Sequence, residues 1–157
     1  MAEKRLTIID FVERYTNLYT DRTFLREKVG EVWTETSYRK TRDEGRLLAA
    51  GFMALGLQKG EKVALLSEGR NLWIFAELGI LYAGGVNVPL SFKLESDKDL
   101  LFRINHSDSR FIIASEGQIE KVRRVIGSCP NVEKVIVLDD IPLQDNEIYV
   151  GELTDIG

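Results

Sequence analysis

Glu68 and Arg70 stand in a polar turn, Ser67-Glu68-Gly69-Arg70-Asn71, where a dinucleotide-binding protein carries its glycine-rich phosphate loop. The turn has a single glycine, which does not favour close backbone approach to a pyrophosphate. No G-x-x-x-x-G-K-S/T sequence occurs in the 157 residues, which removes the P-loop reading. Gly84-Gly85 is the other tempting pair, but it ends an apolar segment and reads as a helix stop. His106, the single histidine, is flanked by Ser107 and Asp108. A triad is assembled in space with its base oriented between partners, so this adjacency reads as a polar helix end. Cys129, the single cysteine, precedes Pro130; it allows no internal disulfide and no multi-cysteine metal site, and nothing beside it would activate a thiol. Asp139-Asp140 would bind a metal or accept a phosphoryl group only if other strand ends supplied acids and a lysine. Those ends offer mainly Glu68, Glu95 and Glu116, so a solvated acidic pair is the simpler reading. Arg70 and Lys93 could each meet an anion, but one cation per loop is ordinary for a protein surface. The residues alone assign no catalytic, cofactor-binding or metal-ligating position.

These residues fall in the gaps of a regular pattern. From Lys62 onward, β-prone runs at Val63–Leu66, Val86–Val88, Phe111–Ala114 and Val135–Leu138 alternate with helical segments. Such alternation predicts a parallel sheet with helices on both faces, and ligands on such sheets sit beyond the carboxyl ends of the strands. Here those ends are Ser67–Asn71, Leu90–Ser96, Ser115–Gln118 and Asp139–Pro142. Ahead of the sheet, Thr7-Ile8-Ile9-Asp10 has capping-box spacing and opens a helix with apolar positions at Phe11, Val12, Tyr15 and Leu18. Thr23–Lys28 and Val32–Thr36 flank Gly30 and predict a β-hairpin. A helix then starts at Ser37 or Thr41, with a stripe of Leu47, Leu48, Gly51, Phe52 and Leu55, and stops at Gly56. The expected organisation is one α/β subdomain over 1–157, with a helix and hairpin in 1–36 and the strand–helix unit in 37–140. Beyond Asp139 no core-forming run is evident.

The segment Leu72–Ala83 carries one charge, Glu77, and its apolar residues point all around the cylinder. It is too short to span a bilayer, which takes roughly 18 or more uninterrupted apolar residues. Such a helix must be covered on two sides, and the second cover is expected from outside this chain. A face left bare here would favour a weak homodimer. A net charge of −4 with both signs interspersed gives no footprint for nucleic acid or an anionic membrane. The start, MAEKRLTIIDF, has no signal-peptide pattern, so a cytoplasmic location is expected.

The ordered series W-T-E-T-S-Y, R-L-L-A-A-G-F-M-A-L-G-L-Q-K-G-E-K-V-A-L-L, N-L-W-I-F-A-E-L-G-I-L-Y-A-G-G-V-N-V-P-L and D-S-R-F-I-I-A-S resembles the beginning of the adenylate-forming acyl-CoA synthetase family. V-P-L-S-F-K-L-E with F-R-I-N-H-S is most similar to bacterial long-chain fatty acid–CoA ligases. The resemblance runs from about Thr7 to Asp139 and implies part of the large N-terminal domain of such an enzyme. It implies a parent that uses ATP, Mg and CoA to convert a fatty acid to an acyl-adenylate and then to a thioester. The family's phosphate loop ending in Pro-Lys-Gly, its later acidic motif, its hinge and its mobile-domain lysine have no counterpart in these residues. The expectation is therefore an inert N-terminal fragment with no cofactor bound to it and the rest of the parent chain as its partner. The Leu90–Ser96 loop would lie near the parent's CoA channel, with no residue singled out. The alternative from another class is a stand-alone flavodoxin-like binding or protein-interaction module.

Overall fold

The computed structural model describes residues 5–156. Helix α1 (Ile8–Tyr19) opens with the expected capping box: Thr7 Oγ1 accepts from the Asp10 amide at 3.1 Å, and Asp10 Oδ2 accepts from the Thr7 amide at 2.8 Å. Strands β1 (Thr23–Val29) and β2 (Val32–Ser37) pair antiparallel around Gly30, whose φ of +61° suits glycine, and form a two-stranded sheet of their own. Ser37 caps helix α2 (Tyr38–Ala54) by accepting from the Lys40 amide at 3.1 Å.

The main sheet then builds from β3 (Lys62–Leu66), β4 (Val86–Leu90), β5 (Ser109–Ala114), β6 (Lys134–Val137) and β7 (Glu147–Tyr149), all parallel, in the order β4-β3-β5-β6-β7. Helices α3 (Asn71–Tyr82), α4 (Asp97–His106), α5 (Glu116–Val125) and α6 (Val150–Ile156) cover it. The strands alternate between two cores. Val63, Leu65, Phe111, Ile113 and Ile136 face α3 and α6, with Leu48 and Phe52 of α2 reaching into the same cluster; Ala64, Leu66, Ile112, Ala114 and Val137 face α4 and α5. Burial on both faces is why these strands read as unbroken apolar runs. Among the described residues no helix is long and apolar enough to cross a membrane.

Four expectations need correction. The first concerns the apolar helix, here α3. Its second cover comes from within the chain, because α2 packs across α3 and α6 instead of lying on the sheet. Two glycines bring the helices together: a Cβ on Gly45 would sit 2.8 Å from Leu78 Cβ, and one on Gly79 would sit 2.8 Å from Leu48 Cβ. No residue of α3 is fully exposed, and Leu72, Trp73, Ile74, Leu81 and Tyr82 are half-buried, so the bare face expected on Leu72–Ala83 is a partly covered one. Second, the stripe on α2 keeps Leu48, Gly51 and Phe52 buried but leaves Leu47 exposed.

Third, β4 does not stop at Val88 but continues through Pro89 to Leu90. It is an edge strand, and the Val86 amide donates inward to Glu61 O at 2.8 Å. Alternation then turns position 89 outward, where a residue without an N–H breaks no ladder bond. Fourth, the strand–helix unit does not end at 140: β7 and α6 extend it. Strand β7 has only three half-buried residues, and the covered side chain of its polar Glu147 is bound twice by Arg123, Nε–Oε1 at 2.8 Å and Nη2–Oε2 at 2.7 Å. Leu153 of α6 is fully buried against Gly51, where a Cβ would meet the Leu153 carbonyl oxygen at 2.7 Å.

Candidate functional site

The chain leaves β3 for β4 on one side and returns past β3 to β5 on the other. Helix α3 crosses on one face and α4 on the opposite face. This reversal opens the ligand crevice of an open parallel sheet, between the carboxyl ends of β3 and β5. Both strands are followed by the same tripeptide, Ser67-Glu68-Gly69 and Ser115-Glu116-Gly117.

The two halves lock together. Glu68 accepts from Ser115 Oγ at 2.6 Å through one carboxylate oxygen and from the Gln118 side-chain amide through the other. Gly117 makes room, since a Cβ there would stand 2.9 Å from Glu68 Oε1. Arg70 reaches across to the end of β6 and binds Asp139 with Nη1, at 2.8 Å to Oδ1 and 3.1 Å to Oδ2. Asp139 Oδ2 also accepts from the Glu116 amide at 2.7 Å, at the start of α5, where a helix N-terminus favours negative charge. Burial pushes the Glu68 carboxyl upward. The hydrogen bonds from Ser115 and Gln118, with the nearby Arg70 charge, outweigh burial and hold it below the usual carboxylate range.

This arrangement ties three strand ends together and uses its own carboxylates to do so. A phosphate does not fit it, because Glu68 and Asp139 already place anions at the α5 N-terminus. Among the described residues no group of three or more His, Cys, Asp or Glu could hold a metal ion. Asp140 is exposed next to Asp139, so the acidic pair splits between a fixed and a solvated member. Gln118 is buried, and its Oε1 has no hydrogen-bond partner among the described residues.

The other residues singled out from sequence lie apart. Lys93 is exposed, 5.9 Å over the Phe92 ring, and does not join Arg70. Its loop is pinned by Lys121 Nζ, which donates to Phe92 O at 3.0 Å, Leu94 O at 3.1 Å and Glu95 Oε1 at 2.8 Å. His106 stacks on Phe102 at the end of α4, with ring centroids 5.1 Å apart. Ser107 Oγ lies 2.7 Å from Ser109 Oγ, and Asp108 accepts from Asn131 at 3.3 Å. That group precedes β5, at the opposite end of the sheet from the crevice, and is no triad. Cys129 is buried, donates to Val125 O at 3.4 Å, and has its thiol pushed up by burial. Sequence reasoning named Glu68, Arg70, Glu116 and Asp139 but missed Ser115 and Gln118 as the partners of Glu68. The repeated Ser-Glu-Gly was the signal that could have joined them.

The chain is 30% identical over 135 residues to 4-hydroxybutyrate–CoA ligase 2 of Metallosphaera sedula, a match covering 86% of this chain and 23% of that protein. It is 26% identical over 151 residues to the long-chain fatty acid–CoA ligase ACSBG1 of Mus musculus, covering 93% of this chain and 20% of that one. The chain thus spans about a fifth of the length of the curated relatives it matches. The crystal structure of a benzoate CoA ligase from Burkholderia xenovorans LB400 superposes with a TM-score of 0.81 over 96% of this chain and 28% of that chain; at 23% identity this is a likeness of fold. The model of the AMP-binding enzymes matches residues 12–155, nearly the whole of the described structure, and the chain belongs to that family.

Proposed function

We propose that this chain is the opening stretch of the large N-terminal domain of an ATP-dependent acyl-CoA ligase of the long-chain type, and that it is not catalytic by itself. The observation that carries the reading is the family match over 12–155 in a chain that spans about a fifth of its curated relatives. The longer protein would activate a fatty acid with ATP and Mg to an acyl-adenylate and transfer the acyl group to CoA, in the cytoplasm. This stretch, a single α/β unit over 1–157, would supply scaffold and would itself hold no nucleotide, metal or CoA. Supporting that, its crevice is filled by Glu68 and Asp139, and its sequence has no loop to cradle a phosphate. A stand-alone binding module would need that crevice open, and the carboxylates argue against it.

Without donors aimed at the phosphates and the leaving group, the developing charge of adenylation has no stabilisation. The test is pyrophosphate exchange with ATP and a fatty acid, run on the 157-residue chain and on a longer polypeptide that contains it. The expected result is acid-dependent exchange by the longer polypeptide only, faster with a long-chain acid than with benzoate. Exchange by the 157-residue chain above a no-protein control would overturn the reading.

A further inference from the structure

Helix α5 carries three cations, and Lys121 differs from the other two in what it holds. Arg123 and Arg124 direct most of their hydrogen bonds at carboxylates, those of Glu120, Glu147 and Asp97. Lys121 directs two of its three at main-chain carbonyls of one loop, Phe92 O and Leu94 O, and the third at Glu95. Its side chain is 13% exposed and that of Glu95 is 78% exposed, so the carbonyl bonds carry the contact. The loop's own bonds are short-range: Leu94 N donates to Ser91 O at 3.0 Å and Lys93 N to Ser91 Oγ at 3.3 Å. Leu94 packs against the α4–α5 core. Among the described residues, Lys121 is the one group outside the loop that hydrogen-bonds to residues 91–95.

This loop joins β4 to α4 at the carboxyl end of the sheet, where ligands of open parallel sheets bind. Charge is unevenly spread at that end. The carboxylates Glu68, Glu116, Asp139 and Asp140 gather after β3, β5 and β6, with Arg70 bound to Asp139; the flank after β4 has Lys93 and Lys121 beside Glu95. A substrate that carries phosphates is thereby directed to the β4 flank, where it meets this loop.

We propose that Lys121 is a positioning residue of the ligase: it holds Ser91–Ser96 in one shape, so that a phosphate-bearing substrate meets a preformed wall. Lys121 acts through the loop and does not itself touch the substrate. The chain alone still holds no nucleotide, because the loop is one wall of a site that the longer polypeptide completes. The inference rests on the ligase reading, in which ATP and CoA both bring phosphates. Lys121→Met keeps the apolar stem and removes the donors. With the loop in its present shape about a tenth of the time, the substrate binds about tenfold more weakly.

Two measurements test this. In the 157-residue chain, Lys121→Met should speed hydrogen exchange at Phe92, Lys93, Leu94 and Glu95 and leave β3 and β5 unchanged. In the longer polypeptide, the KM for ATP is read from pyrophosphate exchange and the KM for CoA from thioester formation. Lys121→Met should raise at least one of them about tenfold while kcat stays within about twofold, and the one that rises identifies the substrate at the loop. Val122→Ala opens the core beneath α5 without touching the loop, so it should lower stability and leave both KM values unchanged. Unchanged exchange in the loop, unchanged KM values, a fall in kcat alone, or the same KM change in Val122→Ala would each overturn the proposal. A wild-type longer polypeptide without acid-dependent exchange would overturn the ligase reading as well. An active one indifferent to Lys121→Met would overturn this proposal alone.

Discussion

Glu147 is a carboxylate inside the rim of a sheet, and three hydrogen bonds keep it there. Arg123 supplies two, and the Gln144 amide donates the third at 2.8 Å. The Arg123 hydrogen bonds hold its carboxyl below the usual range against the opposing effect of burial. Without the Glu147 charge Arg123 still has Glu120 at 2.6 Å and Pro142 O at 3.0 Å, so what is lost is charge-assisted hydrogen bonding and no charge is stranded. Glu147→Gln should therefore lower unfolding stability by about 1.5–3 kcal/mol at neutral pH, read from denaturant titration. The sign with pH follows from the direction of the shift. Glu61 is also depressed, chiefly by the Gln58 amide and then by Arg110 against burial, and Glu68 is depressed as described above. For each, the unfolded chain takes up a proton before the folded one does. Their stabilisation is complete above the ordinary carboxylate range and is lost as pH falls through the folded values. Stability should decline on the acid side, and less steeply in Glu147→Gln, which has one such group fewer.

At the scale of elements, glycines set how closely the helices pack. Gly45 and Gly79 join α2 to α3, and Gly51 joins α2 to α6. Gly51→Ala gains about 1 kcal/mol of helix propensity, but its Cβ meets the Leu153 carbonyl oxygen, a backbone atom that cannot swing aside. Overpacking costs about 1–3 kcal/mol, so a net loss of up to about 2 kcal/mol is expected. Hydrogen exchange should speed up in α6 more than in the β3–β5 pair. The sequence made α1, the hairpin and four of the five parallel strands legible, because caps, turn glycines and apolar runs are local signals. Strand β7 and helix α6 were hidden. Their burial depends on Arg123 and Gly51, which lie 24 and 102 residues away from Glu147 and Leu153. Likewise Glu68, Arg70 and Asp139 were visible as charges, whereas their mutual satisfaction is a property of strand order.

Across the whole molecule, the C-terminal residues are part of the core. Ending the chain at 140 would remove Val150 and Leu153 from the cluster around Phe52 and Ile136, and would leave Arg123 without Glu147. Such a chain should lose cooperative unfolding, seen as a broad, shallow denaturant transition in place of a sharp one. Ending it at 156 should keep the sharp transition. The other edge of the sheet has a different consequence. Strand β4 offers its outer side to solvent, and Pro89 stands there without an amide hydrogen. A second extended segment laid along β4 would find one donor missing from an already short row. The missing donor works against cross-β stacking and amyloid-like growth along this edge. Replacing Pro89 with valine would restore that donor and turn a protected margin into a template for fibres.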